Sequence, residues 1–506
     1  MDFTVRDAIP WCIGRAPRYR ARCVAAAITI AGPLASAAPN VPVDDPVYEQ
    51  LDQLALTGDL PLFRGGLVPL TEARVRELSP DAPELPAGVW LRPVERAALR
   101  AVVSREAARG YSTAARPRNV AGMLALSCAD QEGRPCGNGL GLAGELDSAA
   151  GVGAWLSGAI RLRAQTGRDR YATALALDRA YVDVELGPVA VEAGRDVLVL
   201  GPTAHTQLAW GSNAPPLDHA RVSSARPLAI SSQLRASAVY VVGRLAAPQA
   251  YPGDLVSIAR GQLDIAGRLE LGAMQLLQLG GAGAPGFGLR DFVLEHVRRR
   301  DPSASASDSS NRRLGFDASL RTAALGGTRF TYQLVFEDLR HEMISAIRYD
   351  ADHALEVATR WLAIEWQKTG ARAYEHVPRT TGFTTAGRIV GASLGPGAHA
   401  LSMFGRIVVP GIVVTPWVQV ARLATDTYAF GDGPIVRTGS GPAELRVRIG
   451  VGVRLQVSRC VELDGEIAVE DVERAAFVPG VRRDNVVLRA LLVWRPSATL
   501  TSSGVM

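Results

Sequence analysis

Residues 179–227 read RAYVDVELGPVAVEAGRDVLVLGPTAHTQLAWGSNAPPLDHARVSSARP. In the first run Tyr181, Asp183 and Glu185 alternate with Ala180, Val182, Val184 and Leu186. A period of two predicts a β-strand with one polar and one apolar face. Gly187-Pro188 interrupts the run and VAVEAGRDVLVL resumes at once, as an antiparallel partner does across a tight turn. A closed barrel accounts for both faces, with lipid against the apolar side and water against the polar one.

The same division recurs downstream. In ELRVRIGVGVRLQVS, Leu445, Val447, Ile449, Val451, Val453, Leu455 and Val457 alternate with Arg446, Arg448, Gly450, Gly452, Arg454 and Gln456. After a short turn, Val461, Leu463, Ile467 and Val469 alternate with Glu462, Asp464, Glu466 and Glu470. Antiparallel pairing of these runs sets Arg454 near Asp464 and Arg448 near Glu470, so opposite charges share one face. RFTYQLVFED carries Phe330, Tyr332, Leu334 and Phe336 against Thr331, Gln333 and Glu337. NVVLRALLVWR repeats the pattern with Val486, Leu488, Ala490, Leu492 and Trp494 on the apolar side. Such runs number roughly 16 to 20, and an even total of about 18 suits a bacterial barrel. Low aromatic content, 6% of the chain, is the feature that fits a membrane barrel least.

The N-terminal part reads differently. Arg15, Arg18, Arg20 and Arg22 precede CVAAAITIAGPLASAA, and Ala35-Ser36-Ala37 has the A-x-A cleavage pattern, so residues 1–37 are expected to be an export signal. The long basic stretch before the apolar run is consistent with initiation downstream of Met1. Residues 38–110 read as a small helical bundle. VYEQLDQLALTG has an acidic lead-in, Pro46 at its start and Gly58 at its end; TEARVRELS opens on Thr71 as a helix cap. RPVERAALRAVVSREAARG places Val94, Ala98, Leu99, Val102 and Val103 on one helical stripe. Residues 111–506 are assigned to the barrel. Once the signal is removed, Cys128, Cys136 and Cys460 remain; Cys128 and Cys136 flank a turn-like spacer and either close a disulfide or stay as two thiols.

Composition narrows the function classes. The formal charge of +5 over 506 residues is modest and dispersed, which gives no nucleic-acid footprint. No run of about 18 apolar residues follows the N-terminal segment, so the chain is not a helical membrane protein. Among its seven histidines there is no H-E-x-x-H, and the chain has no G-x-S-x-G, P-loop or CxxC. No catalytic residue, metal ligand or cofactor site is therefore assigned, and the expected role is not enzymatic. Sugar binding needs no fixed motif, only planar hydrogen-bonding groups and aromatic faces. Trp210, Asn213, Tyr251, Tyr374, His376 and Tyr428 are the candidates for it, each also suited to a structural role.

The segment from Ala180 to Leu228, with Gly194-Arg195, Gly201-Pro202, Ser212-Asn213-Ala214-Pro215-Pro216 and Pro227, resembles the capsule-assembly Wzi family of bacterial outer-membrane proteins. A second stretch is similar to the same family: EWQKTGARAYEHVPRTTGFTTAGRIVGASLGPGAHALSMFGRI, with Glu365, Thr369, Tyr374, His376, Gly382, Gly387-Arg388 and Gly391. Residues 41–78 look like its N-terminal helical portion, and YQLVFEDL with Glu337-Asp338 also fits. Leu200 stands before Gly201-Pro202 where the family's pattern suggests an aromatic.

The resemblance implies an all-β fold: a large transmembrane antiparallel β-barrel with a small α-helical bundle on its periplasmic side. It implies a lectin-like protein of the Gram-negative outer membrane that holds capsular or related exported polysaccharide at the cell surface. Gly194, Arg195, Gly201, Pro202, Asn213, Pro215, Pro216 and Glu365 are then structural, with Arg195, Glu337, Asp338 and Glu365 as luminal partners. Arg446, Arg448, Arg454, Glu462, Asp464, Glu466 and Glu470 form a luminal charge network that lines or plugs a pore. The expected partners are polysaccharide and outer-membrane lipid, with the protein a monomer. The rival readings are a porin-like channel for small solutes and a barrel-borne envelope hydrolase.

Overall fold

The computed structural model describes residues 39–43, 47–58, 69–71, 74–75, 78, 96–106, 139–152, 155–166, 175–211, 213, 215–284, 292–293, 295–296, 310–337, 343–376, 379–430, 434–458 and 461–494. The expected export signal, Cys128, Cys136, Cys460 and Asp338 lie outside these residues.

Gly187-Pro188 makes the expected tight turn between β4 (Leu175–Leu186) and β5 (Val189–Asp196), which pair antiparallel with Val184 opposite Val191. Alternation sorts the side chains as anticipated: Val182 is 54% exposed, whereas Asp183 on the opposite face is 2% exposed. Among the described residues, twenty strands share one sheet; two are short ladder pieces, Leu228–Ala229 and Ile407–Val409, and the other eighteen form a ring. Before β4 come β1 (Arg96–Glu106), β2 (Gly139–Val152) and β3 (Leu156–Thr166). After β5 follow β6 (Leu217–Ser224), β7 (Leu234–Arg244), β8 (Leu255–Ile265), β9 (Leu269–Leu279), β10 (Asn311–Thr322), β11 (Thr328–Phe336) and β12 (Asp352–Thr359). The series ends with β13 (Leu362–Lys368), β14 (Ala398–Gly405), β15 (Ile412–Ala424), β16 (Ala443–Ser458), β17 (Val461–Glu473) and β18 (Arg482–Trp494). Each pairs antiparallel with its chain neighbour, and β1 pairs with both β2 and β18, so the sheet closes on itself and leaves no free edge.

The β16–β17 hairpin adopts the expected register, with Arg454 opposite Asp464 and Arg448 opposite Glu470. Val453, Val457, Leu463, Ile467 and Val469 are exposed on its outer side. On β11, Phe330 and Tyr332 face outward while Thr331 and Gln333 are buried. Tight turns gather at one end of the barrel and long loops at the other, the asymmetry that places the tight turns on the periplasmic side of bacterial barrels.

The helical reading holds for one element and fails for another. Helix α1 (Val47–Thr57) ends where Gly58, at φ 94, donates its N–H to Leu54 O at 3.1 Å, a left-handed stop that glycine adopts without a Cβ clash. Thr71 Oγ1 accepts from Arg74 N at 3.2 Å, as a cap does. Residues 96–106, however, read as part of a third helix, form strand β1 and close the barrel. Ala, Leu, Arg and Glu carry high helix propensity, but two open sheet edges needed a partner, and pairing overrides propensity.

Helix α1 docks on the tight-turn end of the barrel. Arg321 Nη1 donates to Ala55 O at 2.9 Å, and Asp52 pairs with Arg329. A Cβ on Gly327 would sit 1.9 Å from Leu56 O, so the helix end rests directly on backbone there. Ahead of the helix, Asn40 Nδ2 donates to Glu192 at 2.6 Å and its N–H to Tyr181 Oη at 2.8 Å.

Candidate functional site

Two long loops fold back into the barrel instead of standing above it. The first runs from 197 to 216, between β5 and β6; the second from 369 to 397, between β13 and β14. Ala204 N donates to Glu356 Oε2 at 2.8 Å and His205 N to Glu365 Oε1 at 3.0 Å, so the first loop's tip meets carboxylates on β12 and β13 within the wall. Beyond them His205 stacks on Phe404, with ring centroids 3.7 Å apart. The wall beneath is apolar on its inner side: Val239, Val241, Val256, Ile258, Met274 and Leu276 pack with Leu208, Trp210, Phe383, Ile389 and Val390 of the loops. This interior core inside a barrel is why the loops stay in.

Tyr374 joins the two loops. Its hydroxyl donates to Leu208 O at 2.6 Å and accepts from Ala392 N at 2.7 Å, and Arg313 lies 4.0 Å over its ring. Burial pushes its phenol above the usual range and keeps it a donor. Asn213 Nδ2 donates to Ile389 O at 2.7 Å, and Gly211 N to Val390 O at 2.7 Å. Arg313 also pairs with Asp352 and, at 2.8 Å, with Glu337; burial pushes the Glu337 carboxyl up to about 8 against the pull of that guanidinium. Between plug and wall lies a polar cavity of about 30 Å³ beside Gln207, Gln367, Ser402 and Gln419, room for water and too little for a sugar.

These placements correct several expectations. Trp210, Asn213 and Tyr374, candidates for sugar contact, are buried in the plug, where no external polymer reaches them. Arg195, expected to face the lumen, lies on the other side of β5 from buried Glu192 and pairs with Asp218 at 2.5 Å. Its neighbours Gly194 and Gly201 have φ of 140° and 147°, and Glu365 is buried against the plug tip as described. Pro215 and Pro216 lead the chain out of the plug into β6.

The charged rows of β16 and β17 face the lumen. Arg454 pairs with Glu49 of α1 at 2.7 Å, Asp464 at 3.4 Å and Glu462 at 3.7 Å; Arg448 pairs with Glu470 at 3.5 Å and Arg446 with Glu444 at 2.5 Å. Burial pushes the Glu49 carboxyl up, but Arg454 and Arg406 together outweigh it and hold the carboxyl below its ordinary value. Glu466 sits on the same side of β17, opposite Gly452 and Arg489.

The remaining candidates lie at the long-loop end. Tyr251 carries Arg379 at 5.0 Å from its ring, and His376 Nδ1 accepts from Arg379 N at 3.4 Å. Tyr428, in a short hairpin of Thr427–Ala429 with Val436–Gly439, belongs to a larger cluster. Its ring lies 5.6 Å from Tyr349 and 6.2 Å from Phe430, while Arg348 covers Tyr349 at 5.0 Å and Arg372 covers Phe430 at 4.2 Å. Asp350 holds Arg372 at 2.5 Å and Asp426 holds Arg437 at 3.0 Å. Three loops contribute to this half-exposed group. Tyr349, Phe430, Arg348 and Arg372 were not picked out in the sequence, where the adjacent Arg348-Tyr349 lies far from Arg372 and Phe430; an aromatic next to an arginine within a loop was the available signal.

The model of the capsule assembly protein Wzi family matches residues 114–404, a span that contains both plug loops. The chain belongs to that family. No curated protein sequence matches it. Among solved structures it is similar to Escherichia coli Wzi, an outer-membrane protein involved in group 1 capsule assembly and a carbohydrate-binding β-barrel. That similarity is at 14% identity and a TM-score of 0.63, over 90% of this chain and 99% of the other. Pseudomonas aeruginosa OccD3 (OpdP) also matches, at 11% identity and a TM-score of 0.46, over 86% of this chain and 95% of that one. The first likeness supports the barrel fold; the family, one of capsule assembly in the outer membrane, sets the biological frame.

Proposed function

We propose that this protein holds capsular or related exported polysaccharide at the cell surface through the aromatic and arginine cluster at its long-loop mouth. The observation that carries the reading is the filled lumen: two loops packed into a core of their own favour holding over conducting, the porin-like alternative. Tyr349, Tyr428 and Phe430 offer ring faces to sugar C–H groups, and Arg348, Arg372 and Arg437 surround them with hydrogen-bond donors. The carbohydrate binding described for the Escherichia coli protein supports the assignment at the level of ligand class. The outward apolar band meets outer-membrane lipid, residues 1–37 direct export, and the protein acts as a monomer.

The test is glycan binding by purified protein in detergent, using polysaccharide isolated from the producing strain. Tyr428→Ala and Arg372→Ala are expected to weaken binding several-fold with the barrel intact on a heat-modifiability gel. Equal binding by both variants and the parent contradicts the mouth assignment.

A further inference from the structure

The outer face of the wall carries a feature that neither the mouth nor the plug uses. Lys368 closes β13, His399 lies at the start of β14 and Arg422 near the end of β15. In the ladders Lys368 stands opposite His399 and His399 opposite Arg422, so the three form one lateral row. The row points outward, because it alternates along the strands with Gln367, Ala398, Ala400, Ala421 and Leu423, all buried. It lies at the long-loop end, the side that the tight turns place outside the cell. One step down the same face are Trp366, Leu401 and Val420, exposed and again opposite one another; Ile364, Met403 and Val418 follow below them.

The protein leaves these cations without anions. Among the described residues Lys368, His399 and Arg422 have no carboxylate within ion-pair distance, and Lys368 Nζ donates to Arg348 O alone. Carboxylates of the neighbouring strands and loops are taken: Asp352 by Arg313, Asp350 by Arg372 and Asp426 by Arg437. Elsewhere on the same rim, outward arginines do have partners. Arg195 pairs with Asp218 at 2.5 Å and Arg482 with Asp471 at 2.6 Å. The adjoining segment 343–350, tied to this face by Lys368 and by His353, which donates from Nε2 to Ile347 O at 2.7 Å, exposes Met343, Ile344 and Ile347. Neighbouring strands are about 4.8 Å apart, so the backbones of Lys368 and Arg422 are separated by roughly 10 Å, a gap that two long side chains close around one phosphate.

Charge and polarity together select the occupant. A soluble anion meets the cations but leaves Trp366, Leu401 and Val420 bare. A zwitterionic lipid covers the apolar rows but brings a cation of its own toward Arg422. A lipid with phosphate in its headgroup satisfies both parts: the phosphate accepts from Lys368 and Arg422, and its acyl chains lie along the rows beneath. Trp366 stands at the boundary between the two, where an indole ring is favoured. We infer that the outward face of β13 to β15 is a docking site for a phosphorylated lipid of the outer leaflet. The inference rests on the outer-membrane placement and not on sugar binding at the mouth.

Native mass spectrometry of the detergent-solubilised protein tests this, with diphosphoryl lipid A as the probe. One lipid is expected to stay bound per chain, and the fully dephosphorylated form to bind at least tenfold more weakly. Arg422→Gln, which removes no ion pair or hydrogen bond among the described residues, should weaken the diphosphoryl lipid several-fold, and Lys368→Gln added to it at least tenfold. Arg422→Lys should keep most of the binding, and Arg482→Gln, on the same rim but already paired, should leave it unchanged. Each variant is checked for the folded band on a heat-modifiability gel and for glycan binding equal to the parent's, which separates a loss here from a loss at the mouth. The inference is overturned by equal binding of the two lipid forms or by parental affinity in the double variant. Displacement of the lipid by equimolar inorganic phosphate or alginate also overturns it, since the row then serves a soluble anion.

Discussion

Gly194 shows how a single position in this barrel is dictated by backbone geometry. Its φ is 140°, and a Cβ would lie 2.2 Å from Ala180 O on the neighbouring strand. Gly194→Ala is expected to cost about 1–3 kcal/mol, read as a lowered midpoint of denaturant unfolding. Tyr374 is prescribed by hydrogen bonding instead. Tyr374→Phe removes a donor to Leu208 O and an acceptor for Ala392 N, with an expected cost of about 1–3 kcal/mol and faster protease nicking in the two plug loops. Glu49 gives a pH dependence. Its carboxyl titrates lower in the folded protein than in the unfolded chain, so its contribution to helix docking is complete above the ordinary value of 4.5 and fades as pH falls through the lowered folded value. Hydrogen exchange in α1 should therefore quicken in acid, and Glu49→Gln should show the acid behaviour at neutral pH. Unchanged exchange in that variant contradicts the role of the Arg454 and Arg406 pairs.

At the scale of elements, the strands were legible and the plug was not. Period-two alternation is a local signal, and in β4, β11, β16, β17 and β18 it named the strands; in the β16–β17 pair it also gave the register. Ile467, 49% exposed on β17, belongs to the outward stripe, and Ile467→Lys is expected to cost about 2–4 kcal/mol near mid-membrane, measured by folding into lipid vesicles. Strand β1 was misread because Ala, Leu, Arg and Glu favour helices, although RAALRAVVSRE also alternates. The plug left no periodic trace. Phe383 lies far along the chain from Leu208 and Trp210, and only the three-dimensional packing against Val241 and Ile258 shows that loop residues form a core. The same motif residues that carry the family resemblance are thus mainly plug, and of the two roles open to Trp210, Asn213 and Tyr374 in the sequence, sugar contact or structure, their burial there favours the structural one. Replacing residues 201–211 by a short Gly-Ser link is expected to turn a silent protein into one with steady single-channel conductance in planar bilayers. Open channels in the unaltered protein contradict the plug.

The whole molecule is a closed ring of strands with three kinds of interior. A helical segment is held by ion pairs at the tight-turn end, an apolar and hydrogen-bonded plug fills the middle, and an aromatic and arginine mouth stands at the other end. On the proposed reading the barrel is a mount that gives the mouth a fixed place at the surface, with the plug in place of a pore. The segment from Arg179 to Pro227 belongs to both parts, since its strands are wall and its GPTAHTQLAWGSNAPP loop is plug. The most direct measurement of the central claim is the partition of polysaccharide between cells and medium in a strain lacking the gene, complemented with the parent protein or with Tyr428→Ala. Deletion should shift polymer into the medium, the parent should restore it to cells, and Tyr428→Ala should restore it only in part. Equal cell-associated polysaccharide with and without the protein contradicts the account.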